Sequence, residues 1–106
     1  MQLQNIFIHH VFFWLNNPDS KEDLYALTEG LKKLSQIQTI RQFHIGIPAS
    51  TNRAVIENSY SVSWCLLFDN KEDQDSYQVD PIHLNFVKEC SHLWSKVIVY
   101  DTIDYK

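Results

Sequence analysis

Asn5-Ile6-Phe7-Ile8-His9-His10-Val11-Phe12-Phe13-Trp14-Leu15 is the stretch that decides the fold. Its β-branched and aromatic residues suit a strand. Alternate residues of a strand point to opposite faces. One face therefore carries Ile6, Ile8, His10, Phe12 and Trp14, and the other Phe7, His9, Val11, Phe13 and Leu15. Both sets are apolar, whereas an antiparallel sheet with one wet side alternates apolar with polar. Each face of this strand needs a cover.

The next segments supply one cover. Asn16 to Ser20 breaks the strand, Ser20 can cap a helix, and Glu22 and Asp23 suit the positive end of its dipole. Leu24, Leu27, Leu31 and Leu34 then form a single apolar stripe at helical spacing. Residues 40–48 read as a second strand with Phe43, Ile45 and Ile47 on one side and Gln42, His44 and Gly46 on the other. A polar, irregular loop over 49–59 leads to a third strand over 60–68, where Tyr60, Val62, Trp64, Leu66 and Phe68 alternate with smaller residues. Residues 69–73 start a short helix that runs to about Tyr77, and Asp80-Pro81 restarts it, with proline at the first helical position. Phe86, Val87, Cys90, Leu93 and Trp94 give the second piece its apolar face, and a last strand spans about 96–104.

The order β-α-β-β-α-β is the ferredoxin-like arrangement, an α+β fold with a four-stranded antiparallel sheet and both helices on one face. No spare element remains for the second face. A second copy of the sheet is the simplest cover, and pairing two such faces would bury about 1,600 Å² or more. The expectation is one domain over residues 1–106 that forms a homodimer.

Composition narrows the function classes. The 106 residues include 44% hydrophobic and 13% aromatic side chains and carry a net charge of −4. The basic residues are scattered and form no phosphate-tracking stripe, which argues against nucleic-acid binding. The longest apolar run, Val11 to Leu15, is too short to span a bilayer. Cys65 and Cys90 sit in apolar segments without CxxC spacing, and Met1 to Asn5 has no basic leader region, so the cytoplasm is the expected compartment.

Two motifs carry a family resemblance. Ile8 to Leu15 resembles the first strand of the stress-responsive dimeric α/β-barrel (Dabb) domains. Tyr77, Pro81, His83, Phe86 and Val87 are similar to that family's Y-x-x-x-P-x-H-x-x-F-V signature. The resemblance implies ferredoxin-like protomers whose sheets pair into a dimeric barrel, with a cavity between each sheet and its own helices. One enzymatic member is a plant polyketide cyclase that performs an intramolecular aldol condensation. Its tyrosine and histidine in the signature fall on Tyr77 and His83, and its first-strand histidine on His10. The long 49–59 loop and the three tryptophans Trp14, Trp64 and Trp94 depart from that enzyme, so its substrate does not transfer.

Two chemistries follow. The cavity is expected to bind a small apolar or aromatic molecule, with His10, Phe12, Trp14, His44, Trp64 and Phe86 as ligand-binding candidates. Alternatively, the protein is a cofactor-free cyclase, isomerase or lyase acting on a carbonyl compound. His83, three residues into a helix whose positive end disfavours imidazolium, would be the general base, and Tyr77 the hydrogen-bond donor. The competing structural reading has His83 merely fixing the helix junction and His10 as a satisfied core histidine. Metal binding by His9-His10 is disfavoured because neighbouring strand residues face apart. No haem, nucleotide or nucleophile-elbow motif is present, so no metal or cofactor is expected.

Overall fold

The computed structural model describes residues 1–106. Strand β1 (Phe7–Leu15) leads into helix α1 (Lys21–Leu34), followed by β2 (Gln42–Gly46) and β3 (Val62–Phe68). Helices α2 (Lys71–Val79) and α3 (Pro81–Cys90), a single 3₁₀ turn at Ser91–Leu93 and β4 (Trp94–Ile103) complete the chain. The four strands lie antiparallel in the order β2-β3-β1-β4, the ferredoxin-like topology.

Local chemistry sets the helix starts. The Ser20 hydroxyl accepts the Asp23 N–H at 3.1 Å, Asn70 Oδ1 that of Asp73 at 2.8 Å, and Asp80 Oδ1 that of Ile82 at 2.8 Å. Asp80 also ends α2, and Pro81 cannot continue it because it lacks an N–H. The helical region thus breaks at Asp80, as the sequence indicates. Strands β2 and β3 are shorter than their apolar patterns. Residues 40–41, 47–48 and 60–61, expected in these strands, lie beyond their regular pairing, although the Arg41 N–H still reaches Leu67 O at 2.8 Å and the Ser61 N–H reaches Phe13 O at 2.7 Å. The final strand starts two residues earlier than expected, at Trp94, because Leu15 pairs with it past a register shift.

Phe7, Val11, Phe13 and Leu15 of β1 join Val62, Trp64, Leu66 and Phe68 of β3 in the core beneath the helices. Leu27, Leu31 and Leu34 close it from α1, and Phe86 and Cys90 from α3. Helices α1 and α3 meet closely at Gly30, where a β-carbon would stand 2.6 Å from Cys90 Sγ. Both cysteines are free, and burial pushes both thiols above their ordinary value.

The molecule measures 39 × 37 × 19 Å, a thickness of two layers, one sheet and one set of helices. Ile8, His10, Phe12 and Trp14 face away from the helices and remain only half-buried. No helix is long and apolar enough to cross a membrane.

Candidate functional site

The two faces of β1 separate the residues singled out above. Tyr77, His83, Trp64 and Phe86 lie on the helix side, where they line one cavity of about 190 Å³. His10, Phe12, Trp14 and His44 do not belong to it. His10, Phe12 and Trp14 share the opposite face of β1, and His44 is level with Cys65 and hence with His10 across β3. The first-strand histidine of the cavity is His9, which shares its face with Val11 and Phe13. Placing His10 there is corrected by strand parity, since a one-residue shift exchanges the two faces.

Tyr77 occupies the last turn of α2 and is 1% exposed. Its hydroxyl accepts a hydrogen bond from Trp64 Nε1 at 3.1 Å. A phenol both donates and accepts, so its own hydrogen remains available to a further acceptor. Burial, partly offset by the Trp64 bond, pushes the phenol up to about 12. Tyr77 is therefore a neutral donor throughout the physiological range.

His83 sits one turn further on, in the first turn of α3, with its ring centroid 4.7 Å from that of Tyr77 in an edge-on arrangement. Its Nδ1 is buried and has no hydrogen-bond partner. Burial, reinforced by the nearby His9, lowers its pKa below the ordinary histidine value, and Asp80 offsets part of this. The neutral ring keeps one nitrogen as an acceptor and one as a donor.

His9 faces Tyr77 from β1, with ring centroids 5.8 Å apart. The β1–β4 register sets Asp101 opposite His9, and His9 Nδ1 lies 2.6 Å from Asp101 Oδ1. An ionised carboxylate only accepts, so the bond fixes a proton on Nδ1 and leaves Nε2 without one in the neutral ring. Val11, Phe13, Phe86, Trp94, Val97 and Val99 belong to the apolar part of the lining. Val87, Val97 and Val99 are partly exposed, so the cavity reaches solvent between α3 and the edge strand β4.

Sequence reasoning missed His9 and Asp101. The signal for His9 was the parity it shares with Val11, Phe13 and Leu15. Nothing local marks Asp101, which lies 92 residues away.

The other candidates have their own surroundings. His10 Nε2 shares a hydrogen bond with Ser63 Oγ at 2.8 Å, and its ring lies 4.3 Å from that of Phe12. Burial, and then the neighbouring His44 and His9, lower its pKa. Trp14 Nε1 donates to Ser59 Oγ at 3.0 Å.

A two-layer ferredoxin-like domain with a polar cluster buried between sheet and helices defines the structural class. The sequence profile of the stress-responsive A/B barrel domain matches residues 7–104, and the chain belongs to that family. Solved structures agree on the fold. A dimeric protein of unknown function from Bacteroides fragilis, with a ferredoxin-like fold, is 20% identical with a TM-score of 0.72, covering 97% of this chain and 100% of its own. A Dabb family protein from Mesorhizobium loti is 18% identical with a TM-score of 0.79, covering 95% and 98%. The hydroxynitrile lyase from Passiflora edulis is 19% identical with a TM-score of 0.77, covering 95% and 94%. No protein of curated function matches the chain.

Proposed function

We propose that the helix-side cavity binds a small, largely apolar organic molecule carrying a carbonyl or hydroxyl group, and that the protein works as a homodimer paired through its open sheet face. The observation behind the binding reading is the unpartnered, buried Nδ1 of His83, whose ring packs edge-on to that of Tyr77 in a mainly apolar cavity. An unsatisfied buried polar atom costs about 1–3 kcal/mol, a penalty that a ligand polar group at that position would remove. A dry apolar cavity of about 150 Å³ can hold benzene, so about 190 Å³ suits a single ring or a short branched chain. Native mass spectrometry of the purified protein tests both halves. A dimer carrying a bound small molecule is expected, and a monomer would overturn the assembly. Binding by the wild type that persists unchanged in both His83→Phe and Tyr77→Phe would place the ligand elsewhere.

The His9–Asp101 pair favours a second reading, in which the bound molecule also reacts. A histidine oriented by a carboxylate is a common general base, and the neutral His83 ring is another group able to take a proton. In this reading His83 removes a proton from a carbonyl compound and Tyr77 donates to the carbonyl oxygen, chemistry shared by cyclases, isomerases and lyases. The structural neighbour that is a hydroxynitrile lyase lends it support. On a substrate found by screening carbonyl compounds, Tyr77→Phe and His83→Ala should lower kcat by about 10²-fold or more. Unaltered turnover in both variants would exclude this assignment.

A further inference from the structure

Strand register lines up four side chains in one row across the open sheet face. His10 of β1 pairs with Cys65 of β3 on one side and with Tyr100 of β4 on the other, and Cys65 pairs in turn with His44 of β2. The neighbouring rows are more apolar, Ile8 with Leu67 and Thr102 on one side and Phe12 with Ile98 and Ser63 on the other. Two histidines thus sit in the middle of the surface that a second copy would cover.

In a single protomer His10 is half-buried and His44 is exposed. A neutral His10 ring is satisfied, because its Nε2 shares a hydrogen bond with Ser63 Oγ at 2.8 Å. A proton added to it meets no counter-charge. Around it stand His44, the Cys65 thiol and the Tyr100 phenol, with Lys96 further along β4 and His9 adjoining from the opposite face. Thiols and phenols are uncharged below pH 7. The carboxylates of the flanking segments are committed elsewhere. Glu57 is held by Ser59 at the Trp14 end, Asp101 by His9 on the opposite face and Asp69 by Arg41, while Asp104 accepts the N–H groups of Asn5 and Ile6.

A twofold pair sets the same surface of each copy against the other. The facing copy therefore brings two more histidines and no free carboxylate. Burying an unpaired charge is costly, and the group sheds its proton instead. Within one protomer, burial, followed by His44 and His9, already lowers the pKa of His10. Covering the face removes more water from both rings.

We propose that acid releases the pairing of copies, with His10 and His44 uncharged in the dimer and protonated once the faces separate. This rests on the sheet-face homodimer proposed above and adds its regulation. Above the histidine range both states are neutral and pairing is at full strength. As the pH falls through that range, separated protomers bind protons that the paired faces exclude. Each excluded proton raises Kd by up to about tenfold per pH unit.

Sedimentation equilibrium of the full chain at pH 7.5, 6.5 and 5.5, at constant ionic strength, tests it, with circular dichroism verifying the fold at each pH. The wild type should be dimeric at pH 7.5, with a Kd about tenfold or more higher at pH 5.5. His44→Gln, at an exposed position, should make the dependence shallower, and His10→Gln with His44→Gln should flatten it. His83→Gln, on the other side of the sheet, should respond as the wild type does. An equal Kd at the three pH values in a folded dimer overturns the proposal and leaves the dimer standing. So does an undiminished response in the double variant, or its loss in His83→Gln. A wild type that is monomeric at every pH overturns the dimer itself, and its regulation with it.

Discussion

His83 shows how one side chain links stability to protonation. An unfolded histidine titrates near 6.5, and burial lowers the value for His83 in the fold. Above the unfolded value both states are neutral and the full stability is present. As the pH falls below about 6.5, the unfolded chain gains protons that folded His83 resists, so stability declines until its folded pKa is passed. His10 acts in the same direction, again chiefly through burial. The melting temperature should therefore drop between pH 6.5 and pH 5. Replacing His83 with Gln should make that drop shallower, and an unchanged pH profile would remove His83 from the account. Trp64 illustrates a different role, since its indole N–H spends its bond on Tyr77 and leaves the phenol free to donate.

At the scale of elements, Gly30 controls how closely α1 approaches α3. A methyl group there would meet Cys90 Sγ at 2.6 Å and the Phe86 ring at 3.3 Å. Overpacking of this kind costs about 1–3 kcal/mol, against a gain of about 1 kcal/mol in helix propensity for Ala over Gly. Gly30→Ala is expected to lower stability in urea unfolding, and adding Cys90→Ala should cost less than the separate effects predict. Strict additivity would show that the sulfur is not the obstacle. The break between α2 and α3 was legible in Asp80-Pro81, because a cap and a missing N–H are local chemistry. The apolar stripe of α1 was legible for the same reason: Leu27, Leu31 and Leu34 recur at helical spacing and are buried. The ends of β2 and β3 were less legible, since residues 40–41, 47–48 and 60–61 continue the side-chain pattern while the regular pairing stops short of them.

The whole molecule is two layers thick and leaves one face of its sheet uncovered. Ile8, Phe12, Leu67 and Ile98 face out on that side, half-buried, with Leu67 of β3 directly paired with Ile8 of β1. Leu67→Glu puts a charge in this surface without touching the helix-side core. Analytical ultracentrifugation should find a dimer for the wild type and a shift toward monomer for the variant. A dimer unaffected by Leu67→Glu would place the contact between copies on another surface.

The sequence by itself determined the element order, the break at Asp80-Pro81, the sidedness of α1 and the location of Tyr77 and His83 at a helix junction. All of these rest on periodicity and capping within a few residues. Only the tertiary structure decided which face of β1 receives the helices, and with it that His9 rather than His10 enters the cavity. Both faces of β1 are apolar, so hydrophobicity carried no preference between them. The structure also decided the partner of His9. Asp101 reaches it through the β1–β4 register, a pairing between distant segments that no local pattern encodes.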